Sequence, residues 1–100
     1  MHEEIIEHIM TLYSEGLEEL MGAQKYAKCA SKAENEKNRV MYAEMAREEL
    51  KHASMLMKSG DNELMNVDHN HSIHYVWKRL KHHLTEWSDD IMRHIEKIRA

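Results

Sequence analysis

The chain of 100 residues has no proline, no phenylalanine, three glycines and a single cysteine. With so few helix-breaking residues and abundant Ala, Glu, Lys, Leu and Met, it should be nearly all helix. Cys29 alone can close no internal disulfide and build no cysteine-based zinc site. No stretch approaches the roughly 18 uncharged residues a spanning helix needs, which predicts no membrane partner. Met1 is followed by His2, Glu3 and Glu4, where a signal peptide would carry positive charge, so a cytoplasmic location is expected. No basic block is present either. Fourteen Lys and Arg stand against 18 Asp and Glu, a net charge of -4, and no nucleic-acid partner is expected.

What is present points to one small domain spanning residues 1–100. Hydrophobic residues make up 42% of the chain, enough for one modest core, and charged residues 32%, enough to solvate its surface. Nine methionines can fill that core as adaptable thioethers. Nine histidines are more unusual, because imidazole is the commonest protein ligand for metals.

Apolar spacing divides the chain into a helical hairpin at about 2–59, a connector at 60–72 and a third helix at 73–99. The first helix runs over about 2–30, and the polar run 31–38 holds the turn, with Ser31 plus Glu34, or Asn35 alone, as cap. A second helix over about 36–58 is expected to stop at Ser59, Gly60, Asp61 and Asn62. Ser72 is the expected cap of the third helix. That helix repeats Ile73, Trp77, Leu80, Leu84, Trp87, Ile91, His94 and Ile98 at coiled-coil spacing.

On the second helix, Glu49 and His52 are three residues apart and so share a face. With 14 glutamates and nine histidines, about one such pair is expected by chance, so placement has to carry the argument. The stripe through them reads Tyr42, Met45, Glu49, His52 and Leu56, putting a carboxylate and an imidazole where a core helix carries apolar groups. A buried carboxylate needs a cation or hydrogen bonds to compensate it. Glu19 repeats the anomaly on the first helix, among Leu12, Gly16, Ala23, Tyr26 and Ala30. In a hairpin turning near Glu34, Glu19 lies 15 residues before the turn and Glu49 lies 15 after it. At about 1.5 Å per residue the two carboxylates stand level. Tyr26, further along the Glu19 stripe, can offer a hydroxyl nearby.

These residues resemble the ferritin-like di-iron carboxylate superfamily. One helix there gives a Glu with a Tyr seven residues later, matched by Glu19 and Tyr26; the next gives Glu-x-x-His, matched by Glu49 and His52. The short hairpin, the 30-residue interval from Glu19 to Glu49 and the run Glu48-Glu49-Leu50-Lys51-His52-Ala53-Ser54-Met55 are most similar to encapsulated ferritins, over about residues 12–58. The third helix lies outside the resemblance. The tryptophan that commonly precedes the family tyrosine is Lys25 here, and the tail 95–100 does not look like a shell-targeting peptide, which leaves an encapsulating shell doubtful.

The resemblance implies metal ligands Glu19, Glu49 and His52, with Tyr26 as a catalytic residue that positions ligands or quenches oxidising intermediates. It also implies a homodimer or higher oligomer, since one chain supplies only half of the family's two Glu and two Glu-x-x-His units. The dimer would be a ferritin-like four-helix bundle holding two iron ions, with Mn or Zn possible on the donor chemistry. The implied function is ferroxidase activity in iron storage or detoxification. Two rival readings exist: a non-enzymatic helical interaction protein, and a rubrerythrin-like peroxide reductase. The latter's rubredoxin-like donor needs four cysteines, against one here. Asp68, His69, His71 and His74 read as a polar loop, His82 and His83 as solvated, Asp90 and His94 as a surface pair, and Cys29 as an inert thiol.

Overall fold

The computed structural model describes residues 2–98, with the side chain of His2 left aside. They form three helices and no strand: α1 (His2–Lys32), α2 (Glu36–Glu63) and α3 (Ile73–Lys97). The bundle is a slender rod of 52 × 18 × 15 Å. Glu3 and Glu4 in the first turn of α1 and Lys32 in its last complement the helix dipole. The short turn at 33–35 then sends α2 back antiparallel. Asn35 caps α2, its side-chain oxygen accepting from the Asn38 N–H at 2.8 Å. Ser31 stays inside α1, where its hydroxyl lies 2.9 Å from His94 Nε2.

The hairpin closes on small residues. Ala23, Ala27 and Ala30 of α1 meet Ala43, Ala46 and Ala53 of α2, with Leu20 and Leu50 between them, all buried. Side chains of this size let two helix axes approach closely. Helix α3 lies across the hairpin, parallel to α1: Leu84 packs over Gly16, Trp87 Nε1 donates to Gln24 at 2.8 Å, and His94 reaches Ser31. A second cluster closes the other end of the rod, where Ile9, Leu12, Leu64, Ile73 and Trp77 are buried together.

Three local expectations are corrected by this packing. Helix α2 does not stop at Ser59–Asn62 but continues to Glu63. Gly60 is there because Trp77 lies on it: a Cβ at that position would come within 2.1 Å of the indole Cζ2. Asp61 accepts hydrogen bonds from Trp77 Nε1 and Lys81 Nζ, both at 2.9 Å. Gly60 and Asp61, two of the residues that read as stop signals, are tertiary contacts of a continuing helix. Ser72 precedes α3 but makes no side-chain cap; His71 Nδ1 accepts from the Ile73 N–H at 3.0 Å instead. In the repeat of α3, His94 is exposed, and Ile95, one residue on, is the fully buried side chain at that end.

Candidate metal centre

Glu19 projects from α1 and Glu49 and His52 from α2, along the edge of the hairpin seam away from α3. His52 Nδ1 lies 3.2 Å from Glu19 Oε2 and 3.6 Å from Glu49 Oε1. One donor atom from each of the three residues falls within 4.8 Å of the others, a grouping that could close on a single ion. The carboxylate side chains are 25% and 26% exposed and the imidazole 45%, so the group is partly dried and still open on one side. The level placement of Glu19 and Glu49 about the turn is what brings the three residues together.

Their burial differs from the sequence expectation. The buried stripe of α2 is Ala43, Ala46, Leu50 and Ala53; the Tyr42 to Leu56 stripe lies beside it at the rim, where Met45 is 37% exposed. Alanine leaves too little room between the helices for a glutamate, so the polar stripe stands at the lip of the seam. Within one chain nothing covers it among the described residues.

Among the described residues no Lys or Arg pairs with Glu19 or Glu49; their one partner is His52, which carries charge only when protonated. Two converging carboxylates and one imidazole leave a deficit of positive charge that a divalent cation would fill. The orientation of His52 suits such an ion, since Nδ1 faces both carboxylates while Nε2 faces Glu48 at 3.9 Å on the solvent side.

Gly22 is a feature of the site that sequence reasoning missed. An added Cβ there would lie 2.8 Å from Glu49 Oε2. The missing side chain on α1 is therefore the space in which the Glu49 carboxylate rests. A glycine one helical turn after Glu19, inside an otherwise strong helix, was the available signal.

Tyr26 is half-buried and its ring stacks with Tyr42, centroids 6.4 Å apart and planes inclined by 19°. This pair sits about 10 Å further along the hairpin than the carboxylates, seven residues on from Glu19 and seven before Glu49. Tyr42 was legible by the same symmetry that levels Glu19 with Glu49, because both tyrosines lie eight residues from Glu34.

Several histidines outside the cluster make local contacts. His71 caps α3, and His74 Nε2 donates to the Val67 carbonyl at 3.1 Å. His83 is not simply solvated: it shares a 2.7 Å hydrogen bond with the Tyr13 hydroxyl. His82 pairs with Glu86 at 2.8 Å. Asp90 pairs with Arg93 rather than with His94. Cys29 is a half-buried free thiol. No family model, curated protein or solved structure matches this chain.

Proposed function

We propose that the chain binds divalent iron through Glu19, Glu49 and His52 and, as a homodimer, oxidises it. The convergence of three donor atoms within 4.8 Å, uncompensated by any lysine or arginine among the described residues, carries this reading. Hard carboxylate oxygens with one imidazole per half-site suit Fe(II), and also Mn(II) or Zn(II). Two half-sites brought together about a two-fold axis would place two irons between four helices. Iron bound there would supply one-electron redox chemistry, two Fe(II) giving two electrons to dioxygen with two protons to form hydrogen peroxide, or to peroxide with two protons to form water.

The protein's part is binding and placement. Glu19 and Glu49 would offset the cation charge from opposite helices, and His52 Nδ1, which lies 3.2 Å from Glu19 Oε2, would give its lone pair to the ion in place of that hydrogen bond. Gly22 leaves the Glu49 carboxylate room. Tyr26, stacked on Tyr42 about 10 Å further along the hairpin, is the phenol that would intercept a stray oxidising equivalent. The open lip of the seam, flanked by Met41 and Met45 at 44% and 37% exposure, is the surface a second hairpin would cover.

The test is metal stoichiometry of protein purified without chelator or His tag, together with the rate of Fe(II) oxidation in air. Wild type should retain metal and oxidise Fe(II) faster than buffer, with Tyr26→Phe slower or differently coloured. Glu49→Ala and His52→Ala should lose the metal with helix content unchanged, while His71→Ala and His83→Ala should keep it. Full metal content in Glu49→Ala would remove the assignment. Metal binding with an oxidation rate equal to buffer would leave a binding protein and no enzyme.

A further inference from the structure

The side of α1 opposite the metal centre carries a pattern that the site does not use. Met21 is two residues from Glu19, which is 200° of helical rotation. Stepping from Met21 by fours and threes stays on this outer side, through Met10, Glu7 and Glu3 in one direction and Lys28 and Lys32 in the other. The face is acidic at its start and basic at its end, with Met10 and Met21 in its middle flanking Ser14, Leu17 and Glu18. Its apolar side chains are bare: Ile6 is 41% exposed, Met10 45% and Met21 62%. Its charged side chains are exposed as well, and among the described residues none of Glu3, Glu7, Lys28 and Lys32 forms an ion pair.

We infer that this outer face of α1 docks on the same face of a second copy, antiparallel, about a two-fold axis between Leu17 and Glu18. Laid head to tail about that axis, Glu3 of one copy meets Lys32 of the other, and Glu7 meets Lys28. Each pairing occurs twice, as an isologous interface requires. Ser14 meets Met21, and Met10 lies against the aliphatic stem of Lys25. The second copy's Ile6 comes opposite position 29. There the protein already has a shallow groove of about 480 Å³ between α1 and α3, lined by Met21, Lys25, Cys29 and Trp87 among others.

Charge selects both the occupant and its direction. A parallel arrangement would set Glu3 against Glu3 and Lys32 against Lys32, and like charges brought together at an interface are unfavourable. Only a partner acidic where this face is basic, at the spacing of one 31-residue helix, satisfies both ends together, and the chain itself has that pattern. The contact is independent of the metal reading, being on the other side of α1 and free of its ligands. If both faces associate, assembly proceeds past the dimer.

The experiment is a charge swap, read by sedimentation velocity in the presence of chelator, with circular dichroism confirming unchanged helix content. Wild type should self-associate at micromolar concentration and weaken as salt rises. Glu3→Lys/Glu7→Lys chains carry only positive ends, Lys28→Glu/Lys32→Glu chains only negative ends. Each alone should lose association by tenfold or more, dropping at least one step in mass. Mixed in equal amounts, the two variants should associate again, since every contact then pairs opposite charges. A monomeric wild type, variants that associate as wild type does, or a mixture that fails to re-associate would each overturn the inference.

Discussion

At the scale of single residues, Gly22 and Glu49 form the most informative pair. Alanine is the better helix former by about 1 kcal/mol in a helix interior, and here its Cβ would meet only the mobile tip of a glutamate. Gly22→Ala is therefore expected to leave the fold intact or raise its stability by up to about 1 kcal/mol, while pushing the Glu49 carboxylate out of register with Glu19 and His52. Metal affinity should fall roughly tenfold or more, the usual consequence of disturbing a group that orients a ligand. Thermal unfolding beside metal titration separates the two effects. A variant that loses stability and affinity together would show that Gly22 serves packing and not the site.

Asp61 is the residue whose ionisation is tied to the fold. Burial works to raise its carboxyl, but hydrogen bonds from Lys81 and Trp77 and the Lys81 charge outweigh it and hold the pKa below the ordinary aspartate value. A carboxyl with its folded pKa depressed contributes stability above its unfolded pKa and loses it as pH falls through the folded value. The contribution of Asp61 should thus be intact at neutral pH and disappear below about pH 4. Because the side chain is exposed, its size should be small, on the order of 1 kcal/mol or less. The difference in unfolding midpoint between wild type and Asp61→Asn should narrow over that range, and a difference that widens in acid would contradict this account.

At the scale of elements, the C-terminal end of α2 depends on α3. Gly60 is covered by the Trp77 indole, which is 3% exposed and has little room to retreat. Gly60→Ala should cost about 1–3 kcal/mol through overpacking, partly offset by the better helix propensity of alanine. Denaturant unfolding would show this, and the companion Trp77→Leu/Gly60→Ala should be less than additive, since removing the indole removes the clash. A cost independent of Trp77 would place the effect in the α2 backbone.

At the scale of the whole molecule, the proposed shared site would tie metal binding to association. One chain offers Glu19, Glu49 and His52 as its described cluster, half of what a paired-metal site between four helices requires. Any ion that binds the dimer and not the monomer stabilises the dimer by mass action. Fe(II) or Zn(II) should therefore lower the apparent dissociation constant of the proposed dimer. Mixing wild type with Glu19→Ala/Glu49→Ala chains should give heterodimers that hold metal weakly. Ultracentrifugation with and without metal tests this at micromolar protein, and a monomer retaining its full metal complement would contradict a shared site.

The primary structure by itself determined the helices and the level of the site. Helix content follows from propensity and from the absence of proline, both local properties. The hairpin and the height of Glu19 against Glu49 follow from the constant rise per residue about a turn whose Asn35 cap is also local. Tertiary structure alone decided which stripe went inside. Six alanines drew α1 and α2 together and left the polar stripe at the lip, because helix separation depends on side chains from both helices at once. It also turned the residues 59–62 from a stop into the last turns of α2, since a tryptophan 17 residues beyond Gly60 supplies the contact that overrides local preference. Gly22 belongs to the same class, for its meaning lies in a glutamate 27 positions away in sequence and one side-chain width away in space.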